Sequence, residues 1–302
     1  MKISLIIKKN RKKQQLLTTL LDQVKQLDYF SAHNFFYTEY AYHAFELAKT
    51  EANKKTDIVI GVGGDGTLNE VVNGLLHNGE TQSIFGYFPL GTANDFSKTA
   101  GIVNSVDDFI NALKKLTVTK IDIGQVECQI NTIVTKKYFI NIADTGLGGF
   151  IAKKLNADKK TIGGQFAYIK HTLLGFLLFK KKQVSVQLDN FSYSGKLLSA
   201  VVSNGKVFGN GLIVSPNAKL NDGYFNITLF GNVSVWDYLK NLPALKKGIK
   251  ITHPNIFYYK SKSVTIFSKD NLLEAEADGE YVGYGKTTYK ISPYSIRLLT
   301  IN

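Results

Sequence analysis

The sequence predicts an α/β protein of two domains, a doubly wound parallel-sheet domain followed by a β-rich, sandwich-like one, and three observations carry this. In the first third, short apolar runs alternate with amphipathic helical stretches, the pattern of a parallel sheet covered by helices on both faces. The run Ile58-Val59-Ile60-Gly61-Val62 is nearly continuous and β-branched, as a strand buried on both faces requires. From about Ile121 the period changes to two. Val184, Val186 and Leu188 alternate with Ser185, Gln187 and Asp189, and Phe225, Ile227 and Leu229 alternate with Tyr224, Asn226 and Thr228, the mark of half-buried strands.

A strand over Ile3–Ile7 opens the chain and ends at the basic run Lys8-Lys9-Asn10-Arg11-Lys12-Lys13. The periodicity then predicts a helix over about 13–27, a strand near Asn34–Thr38, a helix near Tyr42–Ala52 and the buried strand ending at Val62. Leu68, Val71, Val72, Leu75 and Leu76 recur at helical spacing and give the next helix one apolar stripe. A strand over Ile84–Phe88 and a helix near Val106–Leu116 follow. In the second half a single helix is expected, near Gln165–Phe179, and the last strand, Ser295–Ile301, is expected to return to the first domain. The expected domains are therefore 1–122, completed by a strand within 291–302, and 123–290. With 302 residues, 44% hydrophobic and 20% charged, the chain can bury a substantial core in each.

The five-residue apolar run at the N-terminus is followed, not preceded, by positive charge, and is too short for a signal-peptide core. Leu173–Phe179 falls far short of the roughly 20 residues that span a bilayer, so no transmembrane helix is expected. Cys128 is the only cysteine, which excludes an internal disulfide and fits a reducing, cytoplasmic compartment. The five histidines are scattered without zinc spacing, so any metal is expected on oxygen ligands. The formal charge is +13 and almost all lysine, Arg11 and Arg297 being the only arginines. Base readers rely on the arginine fork, whereas lysine serves diffuse attraction to an anionic lipid surface. Peripheral membrane association is expected, and nucleic acid is not. Phe166–Phe179 with Lys180-Lys181-Lys182 is either the membrane-facing segment or a core helix with a charged end.

Gly61-Val62-Gly63-Gly64-Asp65-Gly66-Thr67 lies between a buried strand and a helix start, where open α/β sheets bind ligands. Glycines there let backbone N–H groups approach phosphate oxygens, and the helix offers its positive end. The Gly-Lys-Ser/Thr ending of a Walker A loop is missing, and Asp65 would repel a bare pyrophosphate. A carboxylate beside polyphosphate becomes favourable if it contacts Mg²⁺ or faces a hydroxyl proton, as phosphoryl transfer provides. Thr67 and Glu70 also have capping-box spacing.

The stretch Gly63-Gly64-Asp65-Gly66-Thr67-Leu68-Asn69-Glu70-Val71-Val72-Asn73-Gly74, followed by Pro89-Leu90-Gly91-Thr92-Ala93-Asn94-Asp95-Phe96, resembles the diacylglycerol kinase catalytic family, which includes soluble bacterial diacylglycerol kinases and the sphingosine kinases. The likeness continues through Thr38, Ile121-Asp122-Ile123-Gly124, Tyr138-Phe139-Ile140-Asn141, Ser215-Pro216-Asn217-Ala218, Asn221-Asp222-Gly223 and Asp278-Gly279-Glu280. NAD kinases share the Gly-Gly-Asp-Gly element but not the second segment. The resemblance implies an NAD kinase-like and diacylglycerol kinase-like nucleotide domain, a C-terminal β-sandwich, and an active site in the cleft between them. It implies ATP held by Gly63, Gly64, Asp65, Gly66, Thr67, Leu68, Asn69 and Glu70, with Gly91, Thr92 and, from the preceding strand, Thr38.

The resemblance further implies a structural Mg²⁺ on Asp222 and the carbonyls of Lys219 and Tyr224, joined to the loop through Asp122. As a bare pattern Asn221-Asp222-Gly223 is a hairpin turn. Glu280 corresponds to the general base of soluble diacylglycerol kinases and Asp65 to that of sphingosine kinases. Glu280 is taken here as base and Asp65 as positioning the metal-nucleotide, and the two roles can be exchanged. Where the family has Asn-Pro-x-Ser-Gly after its first strand this chain has Lys8-Lys9-Asn10-Arg11-Lys12, so either lysine charge replaces that cradle or nucleotide affinity is reduced. The implied activity is transfer of the γ-phosphoryl group of ATP to a membrane lipid hydroxyl, diacylglycerol or a relative. A catalytically silent lipid-binding homologue and an NAD kinase-like enzyme with a soluble acceptor are the alternatives. The expected partners are the lipid at an anionic surface and a second copy in a homodimer.

Overall fold

A computed structural model describes residues 1–130, 133–157, 175–176 and 178–301. Most of the helix expected near Gln165–Phe179 lies outside the described residues. The chain divides into two compact units, residues 1–123 with 293–302, and residues 124–292.

The first unit is built on parallel strands β1 (Lys2–Ile7), β2 (Ala32–Tyr37), β3 (Ile58–Gly63) and β4 (Ile84–Pro89) in the order β2-β1-β3-β4, with Arg297 and Leu298 parallel beside β4. Every residue of β3 is buried, which is why its sequence is apolar on both faces. Ile3, Leu5, Ile7, Ile58, Ile60 and Val62 turn to one side and pack on Leu17, Leu20, Leu21 and Val24 of helix Gln14–Lys25 and on Phe109, Ile110 and Leu113 of helix Val106–Lys115. Each fully buried Ile or Leu of this layer is worth about 1.5–3 kcal/mol. Helices His43–Asn53 and Asp65–Leu75 lie close together: a Cβ on Gly74 would stand 2.4 Å from the Phe45 carbonyl oxygen, so only glycine permits that approach. A short helix, Asp95–Ala100, was not anticipated from the sequence, being too short to show a period.

The second unit is antiparallel in the order Ile256–Ser261, Phe225–Phe230, Ser199–Ser203, Ile142–Gly146, Glu274–Ala277 and the long strand from Glu280. A second arm runs from that long strand through Ser263–Ser268 and Lys182–Leu188 to Ser192–Leu197. Inward residues of both arms, Val186, Ala200, Ile227, Ile266 and Tyr289 among them, form one core. The expectation of a single helix in this half is corrected by two described ones, Leu147–Ala157 and Val235–Lys247. Gly148 and Gly149 weaken the first as a sequence signal, yet Gly149 is required by packing, since a Cβ there would meet the Glu274 carbonyl carbon at 2.3 Å. Pro243 and the scattered apolar residues of the second hide its period. Among the described residues no helix is long and apolar enough to cross a membrane.

Two carboxyl groups face each other inside this unit. Asp144 and Glu276 are cross-strand partners, 0% and 4% exposed. Burial pushes Asp144 up to about 7 against hydrogen bonds from Ser199 and from the Gly148 and Gly149 N–H groups. Burial, then the neighbouring Asp144, pushes Glu276 well above the usual range. A carboxyl whose folded pKa is raised binds more protons folded than unfolded, so stability is full below the unfolded value near 3.9 and is lost as pH rises toward the folded one. Asp144→Asn is therefore expected to flatten the fall in stability between about pH 4 and pH 7, and to be more stable than the parent at pH 8 by about 2–4 kcal/mol. Urea melts across pH check this; parallel curves for parent and variant would contradict it.

Candidate functional site

Strand β3 delivers the chain into the loop Gly63-Gly64, and helix Asp65–Leu75 starts at once. The Gly63 carbonyl accepts the Leu90 and Gly91 N–H groups at 2.7 and 3.1 Å and the Tyr87 hydroxyl at 3.3 Å, which ties the two glycine motifs together. A Cβ on Gly91 would lie 2.5 Å from Gly64 Cα, so the motifs touch backbone to backbone and neither position tolerates a side chain without movement. A Cβ on Gly66 would meet nothing within 4 Å, because it borders open space.

That space is a cavity of about 300 Å³ walled by Gly63, Gly64, Gly66 and Thr67, by Leu90 and Gly91, and by the Lys8–Arg11 segment. Asn10 builds the segment into the wall: its Oδ1 accepts the Lys12 N–H at 3.1 Å and its Nδ2 donates to the Leu90 carbonyl at 2.8 Å. Lys13 Nζ donates to the Gly91 carbonyl at 3.2 Å. Sequence reasoning did not single out Asn10, although an asparagine capping the turn after a strand was the available signal. The result is a pocket lined by the glycine loop, the first turn of helix Asp65–Leu75 and the basic residues Lys8, Lys9 and Arg11, with Lys9 Nζ 4.7 Å from the Tyr37 ring centroid; that lining suits a polyphosphate.

The loop residues divide by role. Thr67 is buried at 3% exposure under Gly63, and Leu68 is a core residue. Asn69 accepts the Asn73 side chain on its carbonyl, and Glu70 Oε2 accepts the Ala44 N–H at 3.2 Å. The capping box suggested by Thr67 and Glu70 is not formed: Gly64 is the cap residue, Thr67 lies inside the first turn, and Glu70 is turned to Ala44. Thr38 follows β2, its N–H on the Ile7 carbonyl at 2.9 Å, while Thr92 is exposed. Asn94 takes a left-handed conformation (φ 48°) and its Nδ2 donates to the Gly91 carbonyl at 3.0 Å, closing a turn.

Asp65 is half-buried and points away from the cavity walls, toward the second motif. Its carboxylate accepts backbone N–H groups of Asp95, Phe96 and Asn94, the Phe96 bond being 3.4 Å. Burial, then the charge of Asp95, still raises its pKa above the ordinary value. Asp95 itself is paired with Lys98 at 2.8 Å, and Asp122 is half-buried at the end of this unit.

In the second unit, Glu280 follows a two-residue turn in which Asp278 and Gly279 both have positive φ, 49° and 84°. Asp278 accepts the N–H groups of Ile140, Asn141 and Ile142 at 2.9, 3.0 and 3.1 Å, and Glu276 Oε2 accepts the Gly279 N–H at 2.6 Å. The turn is thus rigid. The Glu280 carboxylate is partly exposed and has no hydrogen-bond or ion-pair partner among the described residues. An uncommitted carboxylate carried on a hydrogen-bonded turn suits proton abstraction.

Lys219, Asp222 and Tyr224 lie in one turn. Asp222 Oδ1 accepts the Tyr224 N–H at 3.2 Å and Oδ2 pairs with Lys260 Nζ at 2.7 Å. Among the described residues no group of three or more His, Cys, Asp or Glu side chains could hold a metal, so an ion here would rest on one carboxylate and backbone carbonyls. That oxygen-only donor set fits Mg²⁺, which binds through few carboxylates and keeps waters; Lys260 is its competitor for Oδ2.

Two family profiles match the chain, "Diacylglycerol kinase catalytic domain" over residues 5–126 and "YegS C-terminal NAD kinase beta sandwich-like domain" over residues 141–300. A diacylglycerol kinase of Bacillus subtilis is 30% identical over 247 residues, 80% of this chain and 76% of the relative. One from Staphylococcus epidermidis is 31% identical over 240 residues, 78% of this chain and 72% of the relative. In three dimensions the chain is similar to a putative diacylglycerol kinase of Bacillus anthracis, with TM-score 0.74 at 23% identity, covering 99% and 97% of the two chains. It is also similar in fold to yeast NADH kinase, with TM-score 0.57 at 8% identity, covering 100% and 84%.

Proposed function

We propose that this chain, which belongs to the diacylglycerol kinase catalytic-domain family, is an ATP-dependent lipid kinase. The observation that carries this reading is the cavity of about 300 Å³ between the Gly63–Thr67 loop and the Lys8–Arg11 segment. Its N–H groups and cations hold the phosphates of ATP, with Thr92 and Thr38 on the same nucleotide. Of the two outcomes left open for the basic segment, the cavity favours lysine and arginine charge in place of the family's Ser-Gly backbone. The acceptor is a lipid hydroxyl, that of diacylglycerol or a close relative. Its oxygen bonds to the γ-phosphorus, the bond from that phosphorus to the β–γ bridging oxygen breaks, and ADP leaves with the electron pair. Glu280 takes the hydroxyl proton, and a phosphatidic-acid-type product results. Positioning and charge stabilisation supply most of the rate in such transfers, which is what two motifs locked through the Gly63 carbonyl offer.

The experiment is to incubate the protein with γ-labelled ATP and a total lipid extract, then separate products. Label in a lipid phosphate supports the reading. Label in a soluble phosphate ester would move it to the NAD kinase-like alternative, and none at all to the silent homologue.

Mg²⁺ bound by Asp222 with the Lys219 and Tyr224 carbonyls would hold that turn and add positive charge to it. Asp222→Ala is then expected to melt several degrees lower and to lose any Mg²⁺-dependent rise, which for a bound ion reaches about 2.7 kcal/mol at one hundred times its Kd. Thermal melts with Mg²⁺ and with EDTA decide it. A lower melting temperature with an unchanged Mg²⁺ response would leave Asp222 a turn residue held by Lys260.

A further inference from the structure

Helix Val235–Lys247 is fixed at both ends without help from a partner. Ser234 and Asp237 form a capping box, and Gly248 (φ 68°) closes the C-terminus. Its inner face is anchored by buried Leu245 and by Tyr238, whose ring lies 4.4 Å from that of Phe176. The outer face is unusual. Trp236, the only tryptophan of the chain, is 79% exposed, and Leu239 is 41% exposed. With them Lys240, Pro243, Lys246 and Lys247 are exposed, and the spacing of three, four, seven, ten and eleven from Trp236 puts all six on one stripe. Ile249, 57% exposed, extends the stripe past the helix.

Beyond Asp237, which is held by the Ser234 cap, the chain carries seven lysines and neither Asp nor Glu over residues 238–269. Lys240, Lys246 and Lys247 have no ion-pair partner among the described residues. The cluster that the sequence offered as one option for membrane contact, Lys180–Lys182, differs. Lys181 donates to the Asn232 side chain and the Val233 carbonyl, and Lys182 pairs with Asp270, so two of its three lysines are held by their own unit.

We propose that this stripe is an interfacial anchor that lays the second unit on an anionic lipid bilayer, with Trp236 and Leu239 entering the headgroup region and the three lysines on lipid phosphates. The inference rests on the lipid-kinase reading only for its purpose, since the surface itself is argued from side chains. Tryptophan is favoured where one edge of the ring is apolar and the other wet, at the boundary of a bilayer. An amphipathic helix with a basic outer face lies in that plane, and unpaired lysines find there a lattice of anions. Charge complementarity thus selects an anionic leaflet over an apolar protein groove, which would leave three ammonium groups without partners.

Because Trp236 is the only tryptophan, its own fluorescence reports the contact. Vesicles of phosphatidylglycerol and phosphatidylcholine should shift its emission to the blue and protect it from acrylamide, salt should reverse this, and pure phosphatidylcholine should do neither. Trp236→Ala and the triple change Lys240→Glu, Lys246→Glu, Lys247→Glu should each weaken co-sedimentation with anionic vesicles, the triple by about 100-fold or more. Melting temperatures should stay unchanged, because every altered side chain is exposed. Transfer to water-soluble dihexanoylglycerol should proceed at the parent rate in both. Co-sedimentation of the parent with Trp236 emission unaltered would place the contact elsewhere and overturn the proposal, as would no binding to any vesicle. If dihexanoylglycerol is phosphorylated but no vesicle is bound, the anchor fails and the kinase reading stands. If vesicles are bound through Trp236 and no acceptor is phosphorylated, the reverse holds.

Discussion

Glu280→Gln is expected to lower kcat by about 10²–10⁴-fold, the usual contribution of a positioned general base, while KM for ATP and the melting temperature stay near those of the parent. The separation of effects follows from the geometry. The Glu280 carboxylate is uncommitted among the described residues, so glutamine removes no bond that holds the fold. The turn beneath it is secured by Asp278 on three backbone N–H groups and by Glu276 on the Gly279 N–H, none of which changes. Steady-state kinetics with dihexanoylglycerol, together with a thermal melt, check both halves. A variant with more than a tenth of the parent kcat would remove Glu280 as base.

Asp65→Asn is expected to reduce turnover at least 100-fold, a loss of about 2.7 kcal/mol in transition-state stabilisation, with little loss of stability. Here two effects compete. The carboxylate accepts backbone N–H groups of Asp95, Phe96 and Asn94, and the amide gives up one acceptor of that set. Against this, burial and the nearby Asp95 make the ionised form costly, as the raised pKa records. A raised carboxyl pKa means that the folded state favours the neutral form, so the ionised side chain subtracts stability as pH rises through its folded value. The second effect offsets the first, and asparagine is expected to melt within a few degrees of the parent at pH 7–8. A charge kept where it costs stability is a candidate for function. Wild-type turnover by Asp65→Asn would leave that carboxylate a tie between the two motifs and nothing more. Turnover abolished by Asp65→Asn but retained by Glu280→Gln would exchange the two roles.

The buried strands and the glycine loop were legible because their signals are local. Continuous β-branched residues at 58–62 read as a strand buried on both faces, as they are; Gly63, Gly64 and Gly91 read as close approach to phosphate, and the structure adds a second reason for them, since a Cβ there would crowd Thr67 or the facing glycine. Helix Val235–Lys247 was not legible, because Pro243 and a stripe of exposed Trp, Leu and Lys disguise a helix whose stability comes from caps and packing. The lysines illustrate the same limit. Composition gave the charge, but whether Lys181 or Lys182 is available depends on Asn232 and Asp270, 51 and 88 residues away in sequence.

The α/β class, the position of the glycine loop and the acidic residues beside it are written in the chain itself, since period and backbone conformation are set by near neighbours. What those residues face is settled by packing in three dimensions. Asn10 meets the Leu90 carbonyl across 80 residues, and Asp278 meets the Ile140 N–H across 138. Such pairings close long loops, whose cost is met by the whole core and not by the residues that happen to meet. The direction of a carboxylate, or the freedom of a lysine, therefore follows from the fold and leaves no mark at short range in the chain.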